Sequence, residues 1–202
     1  MNHYFKSNEN LRSDEREIKY IYKSTQFSFI TDSGVFSRDR VDYATNILLE
    51  NLPELSGKIL DIGCGFGCVG IVLAKIYENN SNIKIFMSDV NTRALELTKK
   101  NAEINGVSGK ISGVIKSDGF ENICGNFDFI ISNPPIRAGK NVIYKIYEEA
   151  YANLNKGGGF FIVIQKKHGA LSHRKKLGEI FGEENIKTIY SKKNFFVFEL
   201  KK

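Results

Sequence analysis

Lys58-Ile59-Leu60-Asp61-Ile62-Gly63-Cys64-Gly65-Phe66-Gly67 is the stretch that decides the fold. Lys58–Ile62 is short and apolar and predicts a strand; Gly67–Tyr77 predicts a helix; the alternate glycines between them predict a tight strand-to-helix turn. The same alternation continues downstream. Ile83–Ser88 reads as a strand, Asn91–Asn105 as a helix closed by Gly106, and Ile111–Ile115 and Phe127–Ser132 as strands. Asn141–Leu154 reads as a helix ended by Gly157-Gly158-Gly159, followed by a strand over Phe160–Gln165 and a helix over about Ala170–Phe181. Ile186–Tyr190 and Phe195–Leu200, joined by Ser191–Asn194 with no helix between them, predict an antiparallel pair at one sheet edge. The runs Lys84–Met87, Phe127–Ile131 and Phe160–Ile164 are almost continuously apolar, as strands buried on both faces are. Together these features predict a doubly wound, Rossmann-like α/β domain over 35–202.

Upstream, Val41, Ala44, Ile47 and Leu48 share one face of a helix starting near Arg38, with Ser37 as its N-cap and Pro53 as its stop. Ile18–Tyr22 and Gln26–Ile30, separated by Lys23-Ser24-Thr25, predict a hairpin, and Thr31-Asp32-Ser33-Gly34 carries turn chemistry. Residues 1–17 read as a polar arm or short helix, so 1–34 forms an N-terminal arm and β-hairpin ahead of the main domain.

Composition bounds the function. With 202 residues, 42% hydrophobic and 26% charged, the chain can bury a core as one domain. It has no apolar run of roughly 18 residues, the length a membrane-crossing helix needs. The start, Met1 to Asn10, lacks the apolar core of a secretory signal, and three cysteines cannot all pair with one another, so a cytoplasmic protein with reduced thiols is expected. A net charge of +6 favours an anionic partner.

The turn at Gly63, Gly65 and Gly67 lies beyond the carboxyl end of a strand, where open α/β sheets bind ligands, and its missing Cβ atoms permit close approach. Gly65-Phe66-Gly67-Cys68-Val69-Gly70 satisfies the dinucleotide pattern G-x-G-x-x-G. However, the glycines begin earlier, at Gly63, and Asp61 at the strand end would repel a pyrophosphate. That carboxylate suits a ligand bearing an amino group, such as S-adenosylmethionine. Asp89, closing the next strand, can accept hydrogen bonds from ribose hydroxyls, a feature shared by nicotinamide enzymes. Asp118-Gly119, after the third strand, reads equally as an acceptor for an adenine amine or as a plain turn. Asn133-Pro134-Pro135, directly after Phe127–Ser132, carries the reading furthest. Two prolines fix the backbone, and the Asn133 side-chain oxygen with the Pro134 carbonyl can hold an amine by its two hydrogens. Catalysis there is alignment for in-line displacement. Lys166, Lys167, Arg174, Lys175 and Lys176, with His168 and His173 among them, form a basic segment suited to RNA phosphates, and Arg137 and Lys140 extend it. Cys64 and Cys68 have no partners at zinc spacing, so no metal is expected. His3, His168 and His173 pair with no nucleophile.

The combination of the Asp61–Gly67 motif, Asp89, Asp118 and the Asn-Pro-Pro corner resembles class I S-adenosylmethionine-dependent methyltransferases with an amino target. Thr31–Ser37 and Asn133–Lys140 more narrowly resemble the small-methyltransferase domain of ribosomal RNA guanine-N2 methyltransferases, over about residues 3–202. The resemblance implies seven strands ordered 3-2-1-4-5-7-6 with the last antiparallel, and S-adenosylmethionine as methyl donor. It implies guanine N2 of ribosomal RNA, naked or within a ribosomal subunit, as the target. Ile136 stands where adenine-N6 and glutamine-N5 enzymes usually carry an aromatic and guanine-N2 enzymes often carry phenylalanine. This turns the reading away from adenine and glutamine, and Phe36 could supply a stacking face instead, or simply pack in the core. On this reading Asp61, Gly63, Gly65 and Gly67 cradle the methionine part, Asp89 the ribose, and Asp118 with Gly119 the adenine. Asn133, Pro134 and Pro135 form the catalytic corner, Asn133 also facing the cofactor. Phe36, Ser37, Ile136, Arg137, Lys166, Lys167 and Arg174 meet substrate. Two alternatives stay open at this point: methylation of a protein amide or adenine N6, and a cofactor-binding RNA or assembly module with little activity.

Overall fold

The computed structural model describes residues 11–202. The part of the expected arm that precedes Leu11, with His3, lies outside the described residues, and Leu11–Glu15 form neither helix nor strand. The chain then makes a hairpin from β1 (Arg16–Tyr22) and β2 (Thr25–Thr31), paired antiparallel from Arg16↔Thr31 to Tyr22↔Thr25. Its two-residue turn, Lys23-Ser24, has both residues left-handed (φ 44° and 66°), the twist that a tight hairpin demands. Thr25, expected in the turn, is therefore strand.

Helix α1 (Tyr43–Glu50) starts later than its apolar spacing suggests. Ser37 is not its cap: it sits at φ 60° with its hydroxyl donating to the Arg40 carbonyl. Asp42 caps instead, accepting from the Ala44 and Thr45 amides at 3.0 and 3.3 Å. There follow β3 (Lys58–Ile62), α2 (Cys68–Ile76), β4 (Lys84–Asp89), α3 (Thr92–Ile104), β5 (Ile111–Lys116), β6 (Phe127–Ser132), α4 (Lys140–Asn153), β7 (Leu154–Gln165), α5 (Ala170–Phe181), β8 (Ile186–Lys192) and β9 (Phe195–Lys201). The glycines at 157–159 do not end α4. The strand begins at Leu154 and runs through them, because an added Cβ at Gly158 would meet the Asn155 and Asp128 carbonyls at 2.8 and 2.9 Å; close backbone packing requires glycine there.

The sheet runs β5-β4-β3-β6-β7-β9-β8. In sheet numbering this is the expected order, and β9 is antiparallel to both of its neighbours. Helices α1, α2 and α3 bury one face with the hairpin, through Ile47, Leu48, Ile71, Val72 and Leu95. Helices α4 and α5 bury the other through Ile143, Tyr147, Leu177 and Phe181.

The hairpin is sewn to the domain by α3. Asn101 donates to the Ile30 carbonyl (2.9 Å) and accepts from the Ile30 amide (2.6 Å). One turn later, Asn105 repeats both bonds with Ser28 at 2.8 and 3.1 Å. Spacing of i, i+4 on a helix thus matches i, i+2 on a strand, and the open edge of β2 is satisfied by side chains rather than by another strand. Phe29 packs 5.5 Å from Phe66, whose carbonyl also takes the Asn101 amide, so the hairpin braces the glycine turn from behind.

Candidate active site

A cleft of about 690 Å³ opens beyond the carboxyl ends of β3, β4, β5 and β6, within the range of small-molecule sites. Its floor is the glycine turn. The Gly63 and Cys64 amides both donate to the Ser88 carbonyl at 2.9 Å, tying the turn to β4. Gly63 and Gly65 are left-handed (φ 71° and 58°), and a Cβ on either would meet nothing within 4 Å, so their bare faces look into the cleft. Gly67 differs. A Cβ there would strike Ile71 and Thr98 at 2.9 Å, and the residue does not line the cleft. Its left-handed φ of 90° and its packing against Ile71 of α2 and Thr98 of α3 keep it glycine.

Asp61 and Asp89 stand on either side of this turn. Asp61 is 3% exposed and accepts from the Gly70 amide at 3.0 Å in the first turn of α2. Burial, reinforced by the charge of Asp89, pushes its carboxyl up to about 7, against that hydrogen bond. Asp89 accepts from the Gly65 amide (2.8 Å) and the Asn91 amide (2.9 Å), and burial raises its carboxyl in spite of them. Asp118 and Gly119 also line the cleft. Asp118 is exposed, and the turn is held by the Ser117 hydroxyl, which donates to the Gly119 carbonyl (2.8 Å) and accepts from the Asn122 amide (3.0 Å).

Asn133 closes β6. Its side-chain NH₂ donates to Asp42 Oδ2 and to Thr45 Oγ1, each at 3.0 Å. Among the described residues nothing donates to its Oδ1. Pro135, at φ −74° and ψ 73°, centres a three-residue turn closed by the Ile136 amide donating to the Pro134 carbonyl at 2.8 Å. From sequence alone that carbonyl is a free acceptor. One lone pair is engaged locally and the second remains, so Asn133 Oδ1 is the less committed acceptor of the two.

Phe36 is 54% exposed at the rim, which removes core packing as its role. Ser37, Ile136, Arg137, Lys167 and His168 line the same cleft. Burial, then the charges of Lys167 and Arg137, lowers the His168 imidazole. The basic segment is otherwise divided. Lys166 lines a separate hollow of about 370 Å³ with Gln165, Lys167 and Asn194. Arg174 turns away to pair with Glu183 at 2.8 Å, and Lys176 with Glu148 at 2.9 Å. His173 is buried, with Nδ1 2.8 Å from the Tyr147 hydroxyl, and belongs to the core. Asp42 and Thr45 also reach this site, though no motif in the sequence singles them out for it. Asp42 carries the N-cap signal, a small acid just before the periodic residues Ala44, Ile47 and Leu48; its reach to Asn133 is tertiary and leaves no mark in the sequence.

An open α/β sheet with a bare glycine turn after its central strand, an acid closing the neighbour on one side and an amide-proline corner closing the neighbour on the other defines a cofactor-binding domain of the methyltransferase class. The family profile described as "Methyltransferase small domain" matches residues 26–199, and the chain belongs to that family. It is similar to the YbxB protein of Bacillus subtilis (strain 168), 38% identical, with 99% of this chain and 98% of that protein covered. It is similar also to the ribosomal RNA small subunit methyltransferase C of Shewanella piezotolerans, 36% identical over 76% of this chain and 43% of that protein. Among solved structures it resembles a 16S rRNA N2 methyltransferase of T. thermophilus in complex with AdoMet and guanosine. That match has a TM-score of 0.79 and 26% identity, and covers 93% of this chain and 50% of that one. The chain thus spans nearly all of YbxB but about half or less of these two ribosomal RNA methyltransferases. Among the described residues, no helix is long and apolar enough to cross a membrane.

Proposed function

We propose that the protein transfers a methyl group from S-adenosylmethionine to the exocyclic N2 amine of a guanine in ribosomal RNA. The observation that carries this reading is the orientation of Asn133, whose NH₂ is anchored on α1 so that its oxygen is the end left to receive an amine. The cleft fits the donor: two glycines leave open space where a Cβ would project, with the buried carboxylate of Asp61 on one side and the half-buried one of Asp89 on the other. S-adenosylmethionine, when bound, supplies an electrophilic methyl group on a leaving thioether that needs no proton.

The chain's own residues then bind and align. Asp61, Gly63 and Gly65 hold the methionine part, with Gly67 supporting the turn from behind. Asp89 keeps acceptor capacity for ribose hydroxyls beyond its two backbone bonds. Asp118 and Gly119 flank the adenine end. Asn133 Oδ1 and the second lone pair of the Pro134 carbonyl accept from the target amine and aim its nitrogen, whose surplus proton passes to solvent after it gains the methyl, while Pro135 keeps the corner rigid. Phe36 offers an exposed ring for the flipped base, beside Ser37 and Ile136. Arg137 and Lys167 meet phosphates at the rim and Lys166 lines the neighbouring hollow, whereas Arg174 is held by Glu183 away from them. Similarity to rRNA methyltransferases and to a neighbour solved with guanosine supports the target class. The hairpin Arg16–Thr31 braces the glycine turn, through Phe29 on Phe66 and through Asn101. The site of action is the cytoplasm, in keeping with free thiols at Cys64, Cys68 and Cys124.

Methyl transfer from labelled S-adenosylmethionine tests this reading. The substrates are small-subunit rRNA from cells lacking the protein, the intact subunit, and total ribosomal protein. Label in guanine N2 of the RNA or subunit is the expected result; label in protein alone rejects it.

A further inference from the structure

The geometry points to Asp42 and Thr45 as positioning residues that decide which end of the Asn133 amide meets the substrate, an inference that rests on the role proposed for Asn133. An asparagine amide has one accepting and one donating end of nearly the same shape. Holding an amine by its hydrogens requires the accepting end. The donating end of Asn133 spans two oxygens of α1, Asp42 Oδ2 and Thr45 Oγ1, each at 3.0 Å. Asp42 does more than cap the helix. The same Oδ2 that takes the Ala44 and Thr45 amides at 3.0 and 3.3 Å takes the Asn133 NH₂ as well. An ionised carboxylate can only accept. Turned by half a revolution, the Asn133 amide would set its own oxygen against that carboxylate with no proton between them. Because that Oδ2 already accepts from the Ala44 and Thr45 amides, it faces Asn133 as an acceptor, and one orientation of the amide is fixed. Thr45, 8% exposed, supplies the second acceptor and closes the angle. Because α1 follows the loop carrying Phe36, the same contacts join the substrate rim to the amine acceptor.

The test is the double variant Asp42→Ser/Thr45→Val. Serine remains a good N-cap, so α1 is retained, while the acceptor at 42 is drawn back and the one at 45 is removed. With labelled S-adenosylmethionine and small-subunit rRNA from cells lacking the protein, kcat falls on the order of 10- to 100-fold. The KM for RNA and the cofactor affinity stay at wild-type levels. Asp42→Asn, which keeps an accepting oxygen, restores most of the turnover. Added to Asn133→Ala, the double variant produces no further loss, as two sets of changes acting through one group must. Nitrogen-15 NMR gives a readout independent of turnover: the Asn133 side-chain amide protons are distinct and slow to exchange in the wild type, and exchange freely in the double variant. Wild-type kcat in the double variant, or a full additional loss on top of Asn133→Ala, overturns the inference. If Asn133→Ala alone methylates normally, the role of Asn133 falls and its positioning with it. If the wild-type protein methylates none of this RNA, the guanine reading fails separately, and freely exchanging amide protons in the wild type would then overturn the positioning.

Discussion

The glycine turn after β3 and the basic segment at 166–176 were equally conspicuous as sequence, yet they fold to different degrees of purpose. The turn is one object. Its backbone is tied to Ser88, Asp89, Thr98 and Asn101, and two of its three glycines face the cleft. The basic segment is several objects. Lys167 and His168 reach the rim, Arg174 and Lys176 pair with acids on the surface, and His173 is core. Residues that must act through backbone conformation are bound to their neighbours in sequence, so their roles travel together. Residues that act through charge are distributed by whichever helix face they occupy, and a run of like charge says little about a shared face.

The comparison can be broken most severely at Gly65. Gly65→Val forces a β-branched residue to φ 58° and fills the cleft. We expect cofactor binding to disappear in calorimetry and stability to fall by about 1–3 kcal/mol in denaturant unfolding. Retained binding would mean that the bare face of the turn is not where the donor lies. A smaller effect should split the basic segment. Lys167→Ala lowers RNA affinity and reduces the slope of log K against log salt by about one, whereas Arg174→Ala leaves the slope as it is. Equal slopes for the two would restore the segment as one surface.

The smallest effect concerns pH. Asp61 titrates near 7 because it is buried beside Asp89, so raising the pH through that value ionises a carboxylate that a cationic amino group prefers. Affinity for S-adenosylmethionine therefore rises toward pH 7 and falls again as the donor's own α-amino group loses its proton at about pH 8, and Asp61→Asn abolishes the rise. The same shift means that Asp61 subtracts from stability as pH climbs from about 4 to 7, since the unfolded carboxyl ionises first. Asp32 works in the opposite sense. Burial works to raise its carboxyl, but the Asp14 and Ser33 amides, the Ser13 hydroxyl and Arg93 together hold it below the ordinary range. Its contribution is present above about pH 4 and lost as pH falls through its depressed value. Acid unfolding of Asp32→Asn against the wild type separates the two: the variant should lose the low-pH transition that Asp32 controls.

Most of the sheet was legible because its strands are apolar on both faces and its helices carry ordinary signals. β3, β6 and α5 fall at their expected limits, and β9 is antiparallel as a strand pair without a crossover must be. The errors share a cause. Ser37 is a sound cap by composition, but Asp42 sits where the chain enters α1. Gly157–Gly159 resemble a breaker, but neighbouring carbonyls and rings crowd them within a strand. The Asn133 corner was recognisable from its prolines, whereas the bond that Ile136 makes to Pro134 and the grip of Asp42 on the amide depend on turns and packing that no local spacing encodes.

The most direct measurement of the central claim is mass spectrometry of nucleosides from small-subunit rRNA. It compares cells with the protein, cells without it, and cells carrying Asn133→Ala in its place. The account predicts that one N2-methylguanosine disappears without the protein, returns with the wild type, and stays absent with Asn133→Ala although that variant still binds S-adenosylmethionine. An unchanged nucleoside profile in all three, or full restoration by Asn133→Ala, would contradict it.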